Sequence, residues 1–221
     1  MRLKTAVPMM LLLLLCACGA AKEQAQAPVS LRTALMEAGR CRFTLELTAD
    51  FGDYTRDYTL DCWADTPGFA SMMILEPELA RGVSAIVGGE DAQVSYDDTI
   101  LAVEQFESRP ISPMAAPYLL SRAWSEGYIR SAGKDGDLEQ VHYLLGYGGR
   151  QLEIVTWLSG QTPVRAEITD GERVLVSCEI RDFTMQKKAE EHENQTAETD
   201  LGGGGSEQSP AQRGDPDGAP A

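Results

Sequence analysis

The stretch Cys41-Arg42-Phe43-Thr44-Leu45-Glu46-Leu47-Thr48-Ala49 carries Cys, Phe, Leu, Leu and Ala at every second position, with Arg, Thr, Glu and Thr between them. A period of two gives an extended chain one apolar and one polar face, the pattern of a β-strand buried on one side. After the turn-like segment Asp50 to Arg56 the same period returns from Asp57 to Asp65, with Tyr58, Leu60, Cys62 and Ala64 on the apolar face. Strands this close in sequence pair antiparallel, because a parallel crossover needs about a dozen residues or more. The domain therefore opens as a meander.

Toward the C-terminus the alternation continues at about Phe69 to Leu75, Gly82 to Val87, Gln93 to Tyr96 and Thr99 to Phe106, with Gly88-Gly89 and Asp97-Asp98 as turn signals. It breaks at Arg109-Pro110-Ile111-Ser112-Pro113. Pro117 suits the first residue of a helix, where its missing N–H costs nothing. Tyr118, Leu119, Leu120, Ala123 and Trp124 then share one helical face, Gly127 ends it, and Ser131 to Asp137 reads as a loop. Strands resume at Leu138 to Leu145, Gln151 to Leu158, Val164 to Thr169 and Arg173 to Thr184. Tyr147-Gly148-Gly149 and Asp170-Gly171 mark hairpin turns. Upstream, Ser30 caps a helix carrying Leu31, Ala34, Leu35 and Ala38 on one face, and Gly39 stops it. The expected fold is α+β, mainly β, with about ten antiparallel strands and two helices between residues 30 and 186.

Outside that span the chain changes character. Arg2 and Lys4 precede an apolar run from Ala6 to Ala17 that includes Leu11 to Leu15 and ends in Leu15-Cys16-Ala17-Cys18-Gly19. Leu three positions before a Cys, with a small residue just before it, is what lipoprotein signal peptidase accepts. Residues 1 to 17 thus read as a lipoprotein signal peptide, with Cys18 the acylated first residue of the mature chain. Cys16 fits less well, since Leu15 would fill the small-residue position. The run is short of the roughly 20 apolar residues that span a bilayer. Residues 18 to 29, small and polar, read as a lipidated tether. Residues 187 to 221 are acidic and rich in Gly, Ser and Pro, with Leu201 the one large aliphatic. A tail of this composition cannot offset its chain entropy and is expected to be disordered. The expected location is the extracytoplasmic face of the cell membrane.

Composition narrows the function. The 221 residues hold 34 acidic and 19 basic side chains, a formal charge of -15. Loss of Arg2 and Lys4 with the leader leaves 17 basic against 34 acidic, a charge of -17. Nucleic-acid binding draws most of its affinity from phosphate neutralisation by basic side chains, so nucleic acid is not an expected partner. With His142 and His192 the only histidines, no histidine-rich metal site is assembled. The pairs Glu76/Glu78, Asp97/Asp98 and Asp135/Asp137 fall mostly in turns, where Asp is favoured for backbone reasons. Lys134-Asp135-Gly136-Asp137-Leu138-Glu139 lacks the spaced ligands of a calcium loop. Gly88-Gly89 and Gly148-Gly149 lack the following helix and Lys-Ser/Thr of a phosphate loop. Ser121 and Ser177 have no base at a recognisable spacing, and neither does a cysteine with His142, the histidine of the folded part. No catalytic residue, metal set or cofactor motif is expected.

Cys41, Cys62 and Cys178 each fall on an apolar strand parity, Cys178 together with Val174, Val176 and Ile180. The default reading for all three is a small buried hydrophobe. An exported location permits one disulfide, for which Cys62 and Cys178, both mid-strand, are the better pair.

The order of elements resembles the LolA-like superfamily of outer-membrane-lipoprotein carriers. More narrowly, the chain resembles the GerS-like germination lipoproteins of spore-forming bacteria. The resemblance is carried by Phe43 to Asp53, Pro77-Glu-Leu-Ala-Arg-Gly82, Gly88 to Tyr96, Ser112 to Tyr128, and Leu152 to Ile180 with Trp157, Pro163 and Glu167. It covers roughly residues 30 to 186 and contains no catalytic signature. It implies a strongly curved antiparallel half-barrel whose concave face is covered by helices. It also implies a non-enzymatic binding or scaffold role in the cell or spore envelope, tied to germination through an exported protein partner. The alternative it implies is a carrier of lipid or of lipoprotein acyl chains. A soluble shuttle would be a departure, because Cys18 ties this chain to a bilayer. On such a fold Phe43, Leu45, Met72, Met73, Phe106, Tyr118 and Trp124, with Met114 and Met185, are candidates to line an apolar cavity or to fill the core. The filled core is the favoured reading.

Overall fold

A computed structural model describes residues 26–66, 68–88, 91–97, 99–103 and 112–187. The expectations for the signal peptide, Cys18, the start of the tether, Phe106 and the tail beyond Lys187 lie outside the described residues. Helix α1 (Gln26–Ala38) runs directly into strand β1 (Gly39–Asp50). The break is sharp because Gly39 takes a positive φ of 78°, which a side chain would disfavour. There follow β2 (Thr55–Asp65), β3 (Phe69–Glu76), β4 (Ser84–Gly88), β5 (Asp91–Tyr96) and β6 (Thr99–Val103). After a 3-10 turn at Pro113–Ala115 come α2 (Ala116–Glu126), β7 (Tyr128–Asp135), β8 (Leu138–Tyr147), β9 (Arg150–Ser159), β10 (Thr162–Asp170) and β11 (Arg173–Lys187).

All eleven strands form one antiparallel sheet in the order β6-β5-β4-β3-β2-β1-β11-β10-β9-β8-β7. Two meanders, β1 to β6 and β7 to β11, are thus joined at the centre by the β1–β11 ladder, where Leu45 faces Ile180 and Leu47 faces Cys178. The chain leaves one edge at β6 and re-enters at the opposite edge, β7, and α2 lies on that connection. Register shifts interrupt the β1–β11, β2–β3, β7–β8, β9–β10 and β10–β11 ladders. Each adds one unpaired residue and bends its strand, which curves the sheet into an open half-barrel.

Most strands match the sequence pattern, and the differences have physical causes. Strand β7 occupies most of the segment expected to be a loop. It is an edge strand with little apolar alternation and is held by pairing with β8 across the two-residue turn Gly136-Asp137. Helix α1 begins at Gln26, ahead of Ser30, and admits Pro28 in its first turn, where no intrahelical N–H bond is lost. In β11 the extra residue Leu175 rotates Val174 out of the apolar row, leaving it 40% exposed. The Tyr147-Gly148-Gly149 signal is a two-residue hairpin turn with φ of 57° and 72° at the glycines, the geometry that suits the twist of paired strands.

Candidate functional site

The inward rows of the strands build one apolar face. Cys41, Phe43, Leu45, Leu47 and Ala49 of β1 continue across Leu60, Cys62 and Ala64 of β2 and Ala70 and Met72 of β3, all buried. The other meander contributes Val141, Tyr143, Leu152, Ile154, Ala166 and Ile168. Leu31 and Leu35 of α1, and Leu119, Leu120, Ala123 and Trp124 of α2, sit in the same cluster with at most 1% of their surface exposed. A side chain bordering a space that admits water would keep accessible surface, so these residues fill the concavity at their own positions.

Trp124 is the centre of that seat. Its indole lies edge-on to Phe43 (ring centroids 5.6 Å apart) and to Phe183 (5.8 Å), and Phe43 and Phe183 stack at 6.1 Å. Its Nε1–H donates to the Thr156 hydroxyl at 3.1 Å, so the one polar atom of the ring is satisfied. Phe183 reaches this cluster through a bulge. Arg42 faces Thr184 while Thr44 faces Arg181, and Asp182 takes a φ of 53°. The extra residue reverses the parity, turning Phe183 and Met185 inward although Ile180 is already inward. Alternation alone conceals this.

The apolar candidates divide cleanly. Phe43, Leu45, Met72, Tyr118 and Trp124 lie in the core cluster. Met114 and Met185 are partly buried against it. Met73 is corrected: adjacent strand residues point to opposite faces, so with Met72 inside, Met73 is 41% exposed on the outer side.

Two oxygens on the concave side stand out. The Tyr143 hydroxyl and Glu139 Oε1 are buried without a hydrogen-bond partner, and both belong to the inward row of β8. Burial raises the pKa of both side chains and so disfavours their charged forms. Nearby, Arg32 of α1 donates through Nε to the Trp124 carbonyl at 3.1 Å and through Nη2 to the Gly127 carbonyl. A Cβ at Gly127 would lie 2.6 Å from the Ala123 carbonyl oxygen, so the chain turns from α2 into β7 on a residue with no side chain.

The three cysteines are free and buried. Burial pushes the Cys41 and Cys178 thiols up to about 12 and raises Cys62 as well. The Ser121 hydroxyl is spent on the Tyr118 carbonyl at 3.0 Å. His142 does have a carboxylate partner, Glu153 at 2.7 Å, which also meets Arg130. The two residues are diagonal neighbours across the β8–β9 ladder, His142 opposite Val155 and Glu153 opposite Leu144, a pairing no sequence spacing announces. Among the described residues no three His, Cys, Asp or Glu side chains are grouped to hold a metal ion.

The outer face has a different chemistry. Arg40 and Arg42 make two-pronged pairs with Asp65 and Asp61, and both guanidiniums lie over the Trp63 ring, Arg42 at 4.8 Å. Arg165 stacks on Trp157 at 4.2 Å, while Trp157 Nε1–H donates to Asp135. One groove of about 410 Å³ opens beside Trp63, Phe69 and Ile86, with the Arg40–Asp65 pair on its wall. Another, of about 450 Å³, lies beside Glu46, Asp57, Tyr58 and Glu76. Phe69 and Ile86 are 60% and 51% exposed.

No protein-family model matches the sequence, and no curated protein matches it either. Among solved structures the chain is similar to a LolA-superfamily protein from Nitrosomonas europaea, with a TM-score of 0.43 and 11% identity, covering 73% of this chain and 94% of that one. It is similar to a putative outer membrane lipoprotein-sorting protein domain from Vibrio parahaemolyticus, with a TM-score of 0.39, 12% identity, and 77% and 95% covered. A third similar structure is that of the CwlD amidase from Clostridioides difficile in complex with the GerS lipoprotein, with a TM-score of 0.32, 11% identity, and 72% and 90% covered. At these identities no residue role is carried across.

Proposed function

We propose that this chain is a membrane-anchored exported lipoprotein whose LolA-like half-barrel acts without catalysis, as a binding or scaffold module of the cell or spore envelope. The observation that carries this reading is the seating of α1 and α2. Leu31, Leu35, Leu119, Leu120 and Trp124 occupy the concavity where a carrier would hold a chain. Grooves with exposed aromatic and aliphatic side chains lie instead on the outer face, open to a protein partner. The Leu15-Cys16-Ala17-Cys18 leader supports the anchor, and the phrases shared with germination lipoproteins support a role in spore germination.

The second reading is a carrier of lipid or lipoprotein acyl chains. It draws on the Tyr143 hydroxyl and Glu139 Oε1, buried on the concave side without partners. Native mass spectrometry of the exported full chain separates the two. A bare lipoprotein mass, unchanged after incubation with phospholipid, is expected. A stoichiometric excess mass that extracts into organic solvent would make the protein a carrier. The anchor is tested by Cys18→Ala, which should move the protein from the membrane to the soluble fraction. Retention in the membrane would overturn it.

A further inference from the structure

We propose that the outward face of α1 rests on the bilayer that anchors the chain and so sets which way the half-barrel points. The inference rests on the reading of Cys18 as the lipidated residue.

Helix α1 is apolar on two sides. Pro28, Leu31 and Leu35 face the core, whereas Val29 and Met36 are 51% and 52% exposed on the other side. Exposed Thr33 lies between them, and Val29, Thr33 and Met36 follow the i, i+4, i+7 spacing of a single stripe. The Thr33 hydroxyl donates back to the Val29 carbonyl at 3.0 Å, so its methyl group is what the stripe offers outward.

Charge and chain length select the occupant. The chain has 34 acidic residues, yet none falls between Gln24 and Met36. The one charged side chain of that segment, Arg32, is turned onto the carbonyls at the end of α2. Within α1 the one carboxylate is the exposed Glu37 at its C-terminal end, so most of the stripe is spared the repulsion that anionic headgroups exert on the rest of an acidic surface. Residues 19 to 25 separate Cys18 from α1. Even fully extended they hold the start of the helix within about 30 Å of the lipidated cysteine. A tether this short makes even a weak contact effectively intramolecular. The acyl chains supply the attachment, and the stripe supplies the orientation.

The test uses the full lipidated chain in vesicles of phosphatidylethanolamine and phosphatidylglycerol. An environment-sensitive fluorophore is placed at Met36→Cys, at Val29→Cys, or at Met73→Cys on the outer face of the sheet. The native thiols are buried, so labelling is confined to the new site. Flotation of the same samples reports the anchor independently. The expected result is flotation of all three, with a blue shift and quenching by lipid-borne nitroxide at positions 36 and 29 but not at 73. Flotation without quenching at 36 and 29, or with equal quenching at 73, overturns the orientation and leaves the anchor standing. Failure to float removes the anchor reading and this inference with it. A blue shift that needs no vesicles and grows with protein concentration would place a second copy of the chain on the stripe, overturning membrane contact.

Discussion

The guanidinium of Arg32, on the first helix, closes the end of the second: Nε meets the Trp124 carbonyl at 3.1 Å and Nη2 the carbonyl of Gly127. The last carbonyls of a helix have no partner within it and carry its negative pole, so a partly buried cation is a favourable cap. The contact joins two elements about ninety residues apart and keeps α1 and α2 as one cover over the sheet.

Replacing Arg32 by Met keeps the aliphatic packing and removes the charged donors. Hydrogen bonds to charged groups contribute about 1.5–3 kcal/mol, and a loss in that range is expected. It should read as a lower urea midpoint with an unchanged slope. A variant as stable as the parent would mean that water replaces the cap without cost.

The bulge at Asp182 makes a second prediction. A β-branched residue tolerates a φ of 53° poorly, whereas glycine adopts it freely. Asp182→Val should destabilise the fold by about 1–3 kcal/mol, while Asp182→Gly should be close to neutral. The near-ultraviolet circular dichroism of the Val variant should weaken, because Phe183 would lose its seat against Trp124 and Phe43. Equal stability of the two variants would remove the bulge as the cause of the parity change.

Glu139 gives a pH dependence. Burial raises its pKa from the ordinary carboxylate value. A raised carboxyl costs nothing where both states are protonated. Its destabilisation grows as pH rises from the unfolded value, about 4.3, through the folded one, and persists above it. Glu139→Gln should therefore leave the thermal midpoint unchanged near pH 3.5 and raise it at pH 7. A midpoint difference independent of pH would show that the carboxylate is solvated.

The thiols offer a chemical check. With a pKa of about 12, Cys41 and Cys178 present a thiolate fraction of about one in 10⁴ at pH 8. Maleimide should leave Cys41, Cys62 and Cys178 unmodified in the native protein and modify all three after denaturation. Two fewer reactive thiols in the denatured, non-reduced protein would reveal the Cys62–Cys178 disulfide, which the free cysteines of the structure argue against.

Legibility in the sequence depended on how local each cause was. Alternation in Cys41–Ala49 and Asp57–Asp65 placed Phe43, Leu45, Leu60 and Cys62 on one face, because a strand's facing is set by its neighbours two residues away. The helical face of Tyr118, Leu119, Leu120, Ala123 and Trp124 and the Gly148-Gly149 turn were legible for the same reason. The acidic balance likewise belongs to composition, and the expectation of a lipidated Cys18 to the short motif Leu15 to Cys18.

Tertiary structure alone decided the rest. The first and last strands meet at the centre of the sheet, so Leu45 lies against Ile180 although 135 residues separate them. The β6-to-β7 connection must then cross from edge to edge, and α2 lies on that crossing. The bulges that turn Phe183 inward and Val174 outward come from the register between strands, which no single strand encodes. Strand β7 exists because β8 offers it an edge, and Arg32 finds the end of α2 because the sheet brings the two helices together. Local pattern determines which face of a segment is apolar; pairing and curvature determine what that face meets.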